Sequence, residues 1–389
     1  LKGQATHIQP SVLVWARESI GLSIGDVASR LDRDVHEITS WETGEAVPTY
    51  VQLERLAYEV YKRPIAVFFF PEPPSEEKPA NEFRSLPAAD LKNLNSDTYL
   101  HVRKARAYKL ALEELYSGLN PATSEIWRSV SPTITDDIAT QAKLVRGALG
   151  VSMAQQKTWY GDEEALKQWR QAIEAVGVFV FKNAFKQKDI SGFCIPDPYF
   201  PIIYINNSTT KTRQIFSLLH ELSHILLSIE GMSKFDKSYI DRLPVDAKKI
   251  ERFCNALAAE VLMPSEDFRE QTSLLPRSVE GLPDTAFSAL AHRYGVSREA
   301  ILRRFVDEGR ASSEFYEDKA REWTGQMTQK SGGDWYLSTN AYLSDRFVRD
   351  VFIDLYKARF NPDQAADLLG VHPKNLPGLE DKLRKGGRL

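Results

Sequence analysis

Two histidines and a glutamate interrupt the otherwise apolar run FSLLHELSHILL at 216–227, in a chain with only seven histidines among 389 residues. On a helix, His220 and His224 stand one turn apart on the same face, so both imidazoles reach one cation. Glu221, between them, aims at a water beside that cation. A lone histidine in such a run reads as a satisfied core residue. Two at this spacing, with an acid between them, are the H-E-x-x-H pattern of a metal site.

A catalytic zinc site needs a third protein ligand and an open position. Glu251, in KKIERFCNALAAEV, lies on the next long helical segment, far enough downstream for a loop and a return. Asn255 follows it by four residues and so shares its face, where it is expected to accept the free ring N–H of a ligand histidine. Glu260 is the rival ligand, but nine residues turn a helix by roughly 180° from Glu251, so both cannot face one metal. Cys254, three residues after Glu251, is expected to be a small buried core residue. A cation held by this set polarises a scissile carbonyl and acidifies a water, while Glu221 takes the water proton and returns it to the leaving amine. For the oxyanion donor, His292, Tyr294 and a nearby arginine remain open. A structural zinc is disfavoured, because three protein ligands leave a place that structural sites fill.

The elements that must position these groups follow from periodicity. VGVFVFK, ISGFCIP and FPIIYIN read as strands, rich in β-branched and aromatic residues and bounded by Gly, Pro, Asp or Asn. FPIIYINNS is taken as a candidate edge strand for an extended substrate. The motif helix is expected to begin near Thr210, and Pro264 to end the helix that carries Glu251. Upstream, SVLVWARESIGL, SIGDVASRL, DVHEITSWETG, TYVQLERLAYEVYK and PIAVFFF form a five-helix unit. Ser23 is its expected N-cap, Asp34 with Glu37 has capping-box spacing, and Gly44 is a C-terminal stop. PEPPSEEKPANEF interrupts all periodicity and marks a boundary.

HELSH, ERFCNALAAEVLMP and NEFRS at 81–85 together resemble the ImmA/IrrE family of metallopeptidases over residues 80–310. The resemblance implies Zn2+, with His220, His224 and Glu251 as ligands and Glu221 as catalytic base. It also implies a thermolysin-like zincin architecture and cleavage of repressor proteins of the helix-turn-helix class.

LSIGDVASRLDRDVHEITSWETG is similar to the XRE-type helix-turn-helix of phage repressors, with Ala28, Ile38, Trp41, Glu42 and Gly44 at family-like positions. By that comparison Val35, His36, Glu37, Thr39 and Ser40 face DNA bases. This recognition segment carries no Lys or Arg, and residues 1–70 hold seven basic against nine acidic side chains. Phosphate neutralisation supplies most DNA affinity, so a protein partner is weighed equally with DNA. The fusion of such a unit with a peptidase-like and a C-terminal helical segment also resembles the antitoxin halves of some toxin–antitoxin pairs.

The expected fold is therefore α+β and mostly helical. A helix-turn-helix domain occupies 1–72, a helical linker region 73–130, a zincin domain with a small sheet 131–310, and a helical domain 311–389. The last offers a docking surface for a partner toxin; Lys382, Arg384, Lys385 and Arg388 make its end basic, as a solvated tail would be. The partners expected are a repressor substrate or a cognate toxin, with DNA open through the N-terminal unit and homodimerisation open as well.

A net charge of −3 gives no overall attraction to nucleic acid. No apolar run approaches the roughly 20 residues that span a bilayer, and Cys194 and Cys254 cannot build a disulfide framework. A cytoplasmic protein with reduced, buried thiols is expected. The N-terminus has no apolar signal core, and the missing initiator Met suggests a trimmed chain.

Overall fold

A computed structural model of the chain describes residues 7–75, 86–235, 237–325 and 343–385. It is mostly helical, with one small sheet, and divides into two compact units: Leu1–Arg106 with Phe185–Lys188, and Ala107–Ala184 with Asp189–Leu389. No helix among the described residues is long and apolar enough to cross a membrane. NEFRS, at 81–85, lies outside the described residues.

The first unit opens with α1 (Pro10–Glu18), α2 (Ile24–Leu31), α3 (Val35–Thr43) and α4 (Tyr50–Arg55). A π turn, Leu56–Val60, and a 3-10 turn, Ile65–Phe69, follow. Ser23 caps α2 in a reciprocal box with Asp26: the backbone N–H of each residue donates to the other's side chain, at 2.8 and 3.1 Å. The Asp34–Glu37 box does not form. Asp34 accepts from the His36 N–H at 2.7 Å, but Glu37 is drawn to Gln52, which donates to it at 3.0 Å. Gly44 ends α3 at φ 82°, a conformation that costs glycine nothing. Val12, Ala16, Val27, Leu31, Ile38, Trp41, Leu53 and Phe68 share one core, and Arg17 clamps α1 to α3 through two bonds to Glu42, at 2.7 and 2.9 Å.

The second unit is built on strands β1 (Phe179–Asn183), β2 (Ile190–Ile195), β3 (Ile202–Asn206) and β4 (Gly231–Lys234), in the order β1-β3-β2-β4. β1 runs parallel to β3; the β2–β3 and β2–β4 pairs are antiparallel. Strand alternation divides the sheet residues between two covered faces. Phe179, Phe181, Phe193 and Tyr204 share one face, where Tyr108 stacks on Phe181 at 4.2 Å and Phe347, from the helix Asp345–Tyr356, meets both rings edge-on. Val180, Cys194, Ile203 and Ile205 share the other face and join the core of the motif helix. Burial on both faces explains why these strands read as near-continuous apolar runs.

One expectation is corrected by the sheet. β3 is not an edge, because β1 and β2 flank it; β4 has a partner on one side only among the described residues. β4 itself escapes sequence reading, since GMSK has neither alternation nor β-branched residues.

Candidate metal centre

The motif helix spans Lys211–Leu226, capped by Thr210, whose hydroxyl accepts from the Arg213 N–H at 3.4 Å. It is buried nearly all round, as a helix through the middle of a core must be. Leu218, Leu219, Leu222, Ile225 and Leu226 each contribute about 1.5–3 kcal/mol by leaving water. That apolar investment fixes the face on which His220 and His224 stand. Their Nε2 atoms lie 3.2 Å apart.

The second long helix, Val245–Leu262, follows Pro244 and ends before Pro264. It packs on the motif helix, and its Phe253, Cys254, Leu257, Ala258 and Val261 belong to the same core. This crossing carries Glu251 to both rings: its Oε1 is 3.1 Å from Nε2 of His224, and its Oε2 is 3.4 Å from Nε2 of His220. All three side chains are buried, Glu251 and His224 completely. Glu260 points elsewhere, as its angular offset requires. It accepts from the N–H and hydroxyl of Ser265 at 2.6 and 2.7 Å and pairs with Arg304 at 2.6 Å, tying down the helix end.

The chain beyond the motif helix completes the surroundings. Ser228, in the left-handed region at φ 56°, turns the backbone, and the Ile229 N–H returns to the His224 carbonyl at 3.0 Å. β4 then passes beside the helix. Gly231 and Ser233, two residues apart, face the same side. Gly231 lies against the His224 ring, and the Ser233 hydroxyl donates to Oε1 of Glu221. Tyr239, in the 3-10 turn Lys237–Arg242, donates to Oε2 of Glu251 at 2.7 Å. Neither Ser233 nor Tyr239 was found from sequence; only their place in the loop between the two metal-bearing blocks could have flagged them.

Burial pushes the Glu221 carboxyl above its ordinary value, against the pull of His220, His224 and the Ser233 hydroxyl. Burial would also raise Glu251, but the two histidines outweigh it and hold that carboxyl well below the usual carboxylate range. His224 is held well above the ordinary imidazole value: burial opposes this, and Cys254 and Glu251 overcome it. Both cysteines are buried free thiols, with Cys194 pushed up by burial and by Glu221.

Other expected site residues are not gathered here. Asn255 is half-buried, and among the described residues it makes no hydrogen bond to either ring; the helix turns Cys254 toward His224 instead. His292 is exposed, and Tyr294 donates to Asp267 at 2.8 Å. In the first unit Val35 and His36 are exposed at the start of α3, while Glu37, Thr39 and Ser40 are half-buried.

The donor set fits a divalent cation. His220, His224 and Glu251 each offer one atom, all within 4.8 Å of one another. Among the described residues, the Nδ1 atoms of both histidines, Oε1 of Glu251 and Oε2 of Glu221 are buried without a hydrogen-bond partner. Two imidazole nitrogens with one carboxylate oxygen are the donors zinc takes in three-ligand sites.

Residues 173–306 match the family described as the IrrE N-terminal-like domain, a peptidase family. A curated relative, the radiation response metalloprotease IrrE of Deinococcus deserti, is 38% identical over 109 residues, which cover 27% of this chain and 36% of the relative. The chain thus spans about a third of the length of that relative. Both similarities support the ImmA/IrrE family, and residues 173–306 contain every residue of the His–His–Glu cluster.

Proposed function

We propose that the protein is a regulatory zinc-dependent endopeptidase that cuts a repressor-type protein in a stress, prophage or toxin–antitoxin circuit. The observation that carries this reading is the convergence of two imidazole nitrogens and a carboxylate in a buried site, beside a second carboxylate with an unpartnered oxygen. His220, His224 and Glu251 would hold the metal. When bound, zinc supplies Lewis acidity toward a peptide carbonyl and acidifies water toward a pKa of about 7.

Glu221 is the proton carrier. Ser233 occupies its Oε1 and leaves Oε2 to take a proton from water and return it to the leaving amine. Incubation of zinc-loaded wild-type and Glu221→Gln protein with repressor-type proteins encoded nearby tests the reading. Cleavage by the wild type should fall by about 10²–10⁴-fold in the variant, with metal retained. Equal cleavage by both removes Glu221 from its role.

The first unit we read as an XRE-type helix-turn-helix fold that docks a protein partner, a repressor or a toxin, in preference to DNA. Asp34 and Glu37 stand at the start of α3, the helix lacks Lys and Arg, and Val35, Val47, Tyr50 and Val51 expose apolar surface. A gel shift at low salt on the protein's own promoter, saturating at submicromolar protein, would reverse that preference.

A further inference from the structure

Glu251 has two oxygens, and three groups compete for them. Among the described residues Oε1 accepts no hydrogen bond, and it faces Nε2 of His224. Oε2 accepts from the Tyr239 hydroxyl at 2.7 Å, closer than the 3.4 Å that separates it from His220. Tyr239 is 2% exposed, so no water competes for its hydroxyl. It sits in the 3-10 turn five residues before Pro244, where the Glu251 helix begins, so the turn that launches the helix also grips its acid. A phenol is protonated at neutral pH and donates one proton in one direction, here spent on Oε2.

We propose that Tyr239 is a positioning residue: it commits one oxygen of Glu251 to a hydrogen bond and leaves the other as the single carboxylate oxygen offered to the cation. The inference rests on the metal reading above. A carboxylate free to swing could present both oxygens to a cation and close the position that substrate needs; the phenol prevents this by holding the carboxylate plane. Such supporting partners of metal ligands typically govern affinity by 10–100-fold.

The test compares wild-type, Tyr239→Phe and Tyr294→Phe full-length protein. The last removes a part-buried tyrosine–carboxylate bond, to Asp267, away from the cluster. Zinc affinity is measured by chelator competition and ligand geometry by the visible bands of the cobalt-substituted protein. Tyr239→Phe should raise the zinc dissociation constant about 10–100-fold and shift the cobalt bands, whereas Tyr294→Phe should change neither. Unchanged affinity and spectrum in Tyr239→Phe would overturn the role while leaving the metal site standing. Failure of the wild type to bind zinc would instead remove the metal reading, and this inference with it. If Tyr239→Phe does not fold, X-ray absorption on the zinc-loaded wild type decides: one carboxylate oxygen at the metal is expected, and two contradict the proposal.

Discussion

Gly231 lies against the imidazole of His224, so closely that a Cβ added there would sit 2.7 Å from both Cγ and Cδ2 of the ring. Real Cβ atoms do not approach that far, and the ring is fully buried with nowhere to retreat. Gly231→Ala should therefore cost about 1–3 kcal/mol of stability and rotate His224 off the cluster. Calorimetry and zinc titration check the two effects. Full stability with wild-type zinc affinity would show that β4 does not fix the ring.

Glu260 and Glu251 share one helix and divide its work. Glu260→Ala removes the acceptor of Ser265 and leaves Arg304 with the longer carboxylate contact to Glu308, at 3.9 Å, and should destabilise the second unit by about 1–3 kcal/mol, because part-buried donors lose their acceptor. Zinc stoichiometry should remain at one per chain, whereas Glu251→Ala should abolish tight binding. Denaturant titration and metal analysis of both variants separate the roles; loss of zinc in Glu260→Ala would contradict the division.

Asp267 supplies a pH signature. Burial alone would raise its pKa, but Lys157 at 2.9 Å and Tyr294 at 2.8 Å outweigh it and hold the carboxyl below its ordinary value of 3.8. A folded pKa below the unfolded one adds stability above the unfolded value, and that stability is lost as pH falls toward the folded value. Asp267→Asn should cost about 1 kcal/mol at neutral pH, and the gap to wild type should narrow below about pH 4. Thermal unfolding from pH 7 to pH 3 measures it; a gap that does not change with pH would contradict the assignment.

What the sequence could reveal depended on how local the signal was. His220, Glu221 and His224 lie within one turn, and the apolar residues around them define a helix, so their shared face was legible at once. Glu251 was legible through helical geometry, since Glu260 faces away from it. Asn255 was misjudged because a four-residue offset leaves about 40° of rotation, enough for packing on the motif helix to favour Cys254 on the opposite flank. The edge strand was misplaced because pairing order is non-local: β3 acquires a parallel neighbour, β1, from across β2, while β4 follows the helix as four residues without pattern. Ser233 and Tyr239 were invisible because hydroxyl residues in a loop carry no periodicity; only the folded backbone brings them to the two acids.

His220, His224 and Glu251 together should grip one zinc ion. Anomalous diffraction at the zinc absorption edge, from crystals of zinc-loaded protein, tests it most directly. A single strong peak is expected within bonding distance of both Nε2 atoms and one oxygen of Glu251, about 2.0–2.2 Å away. No peak there, or a peak held by other residues, would contradict it.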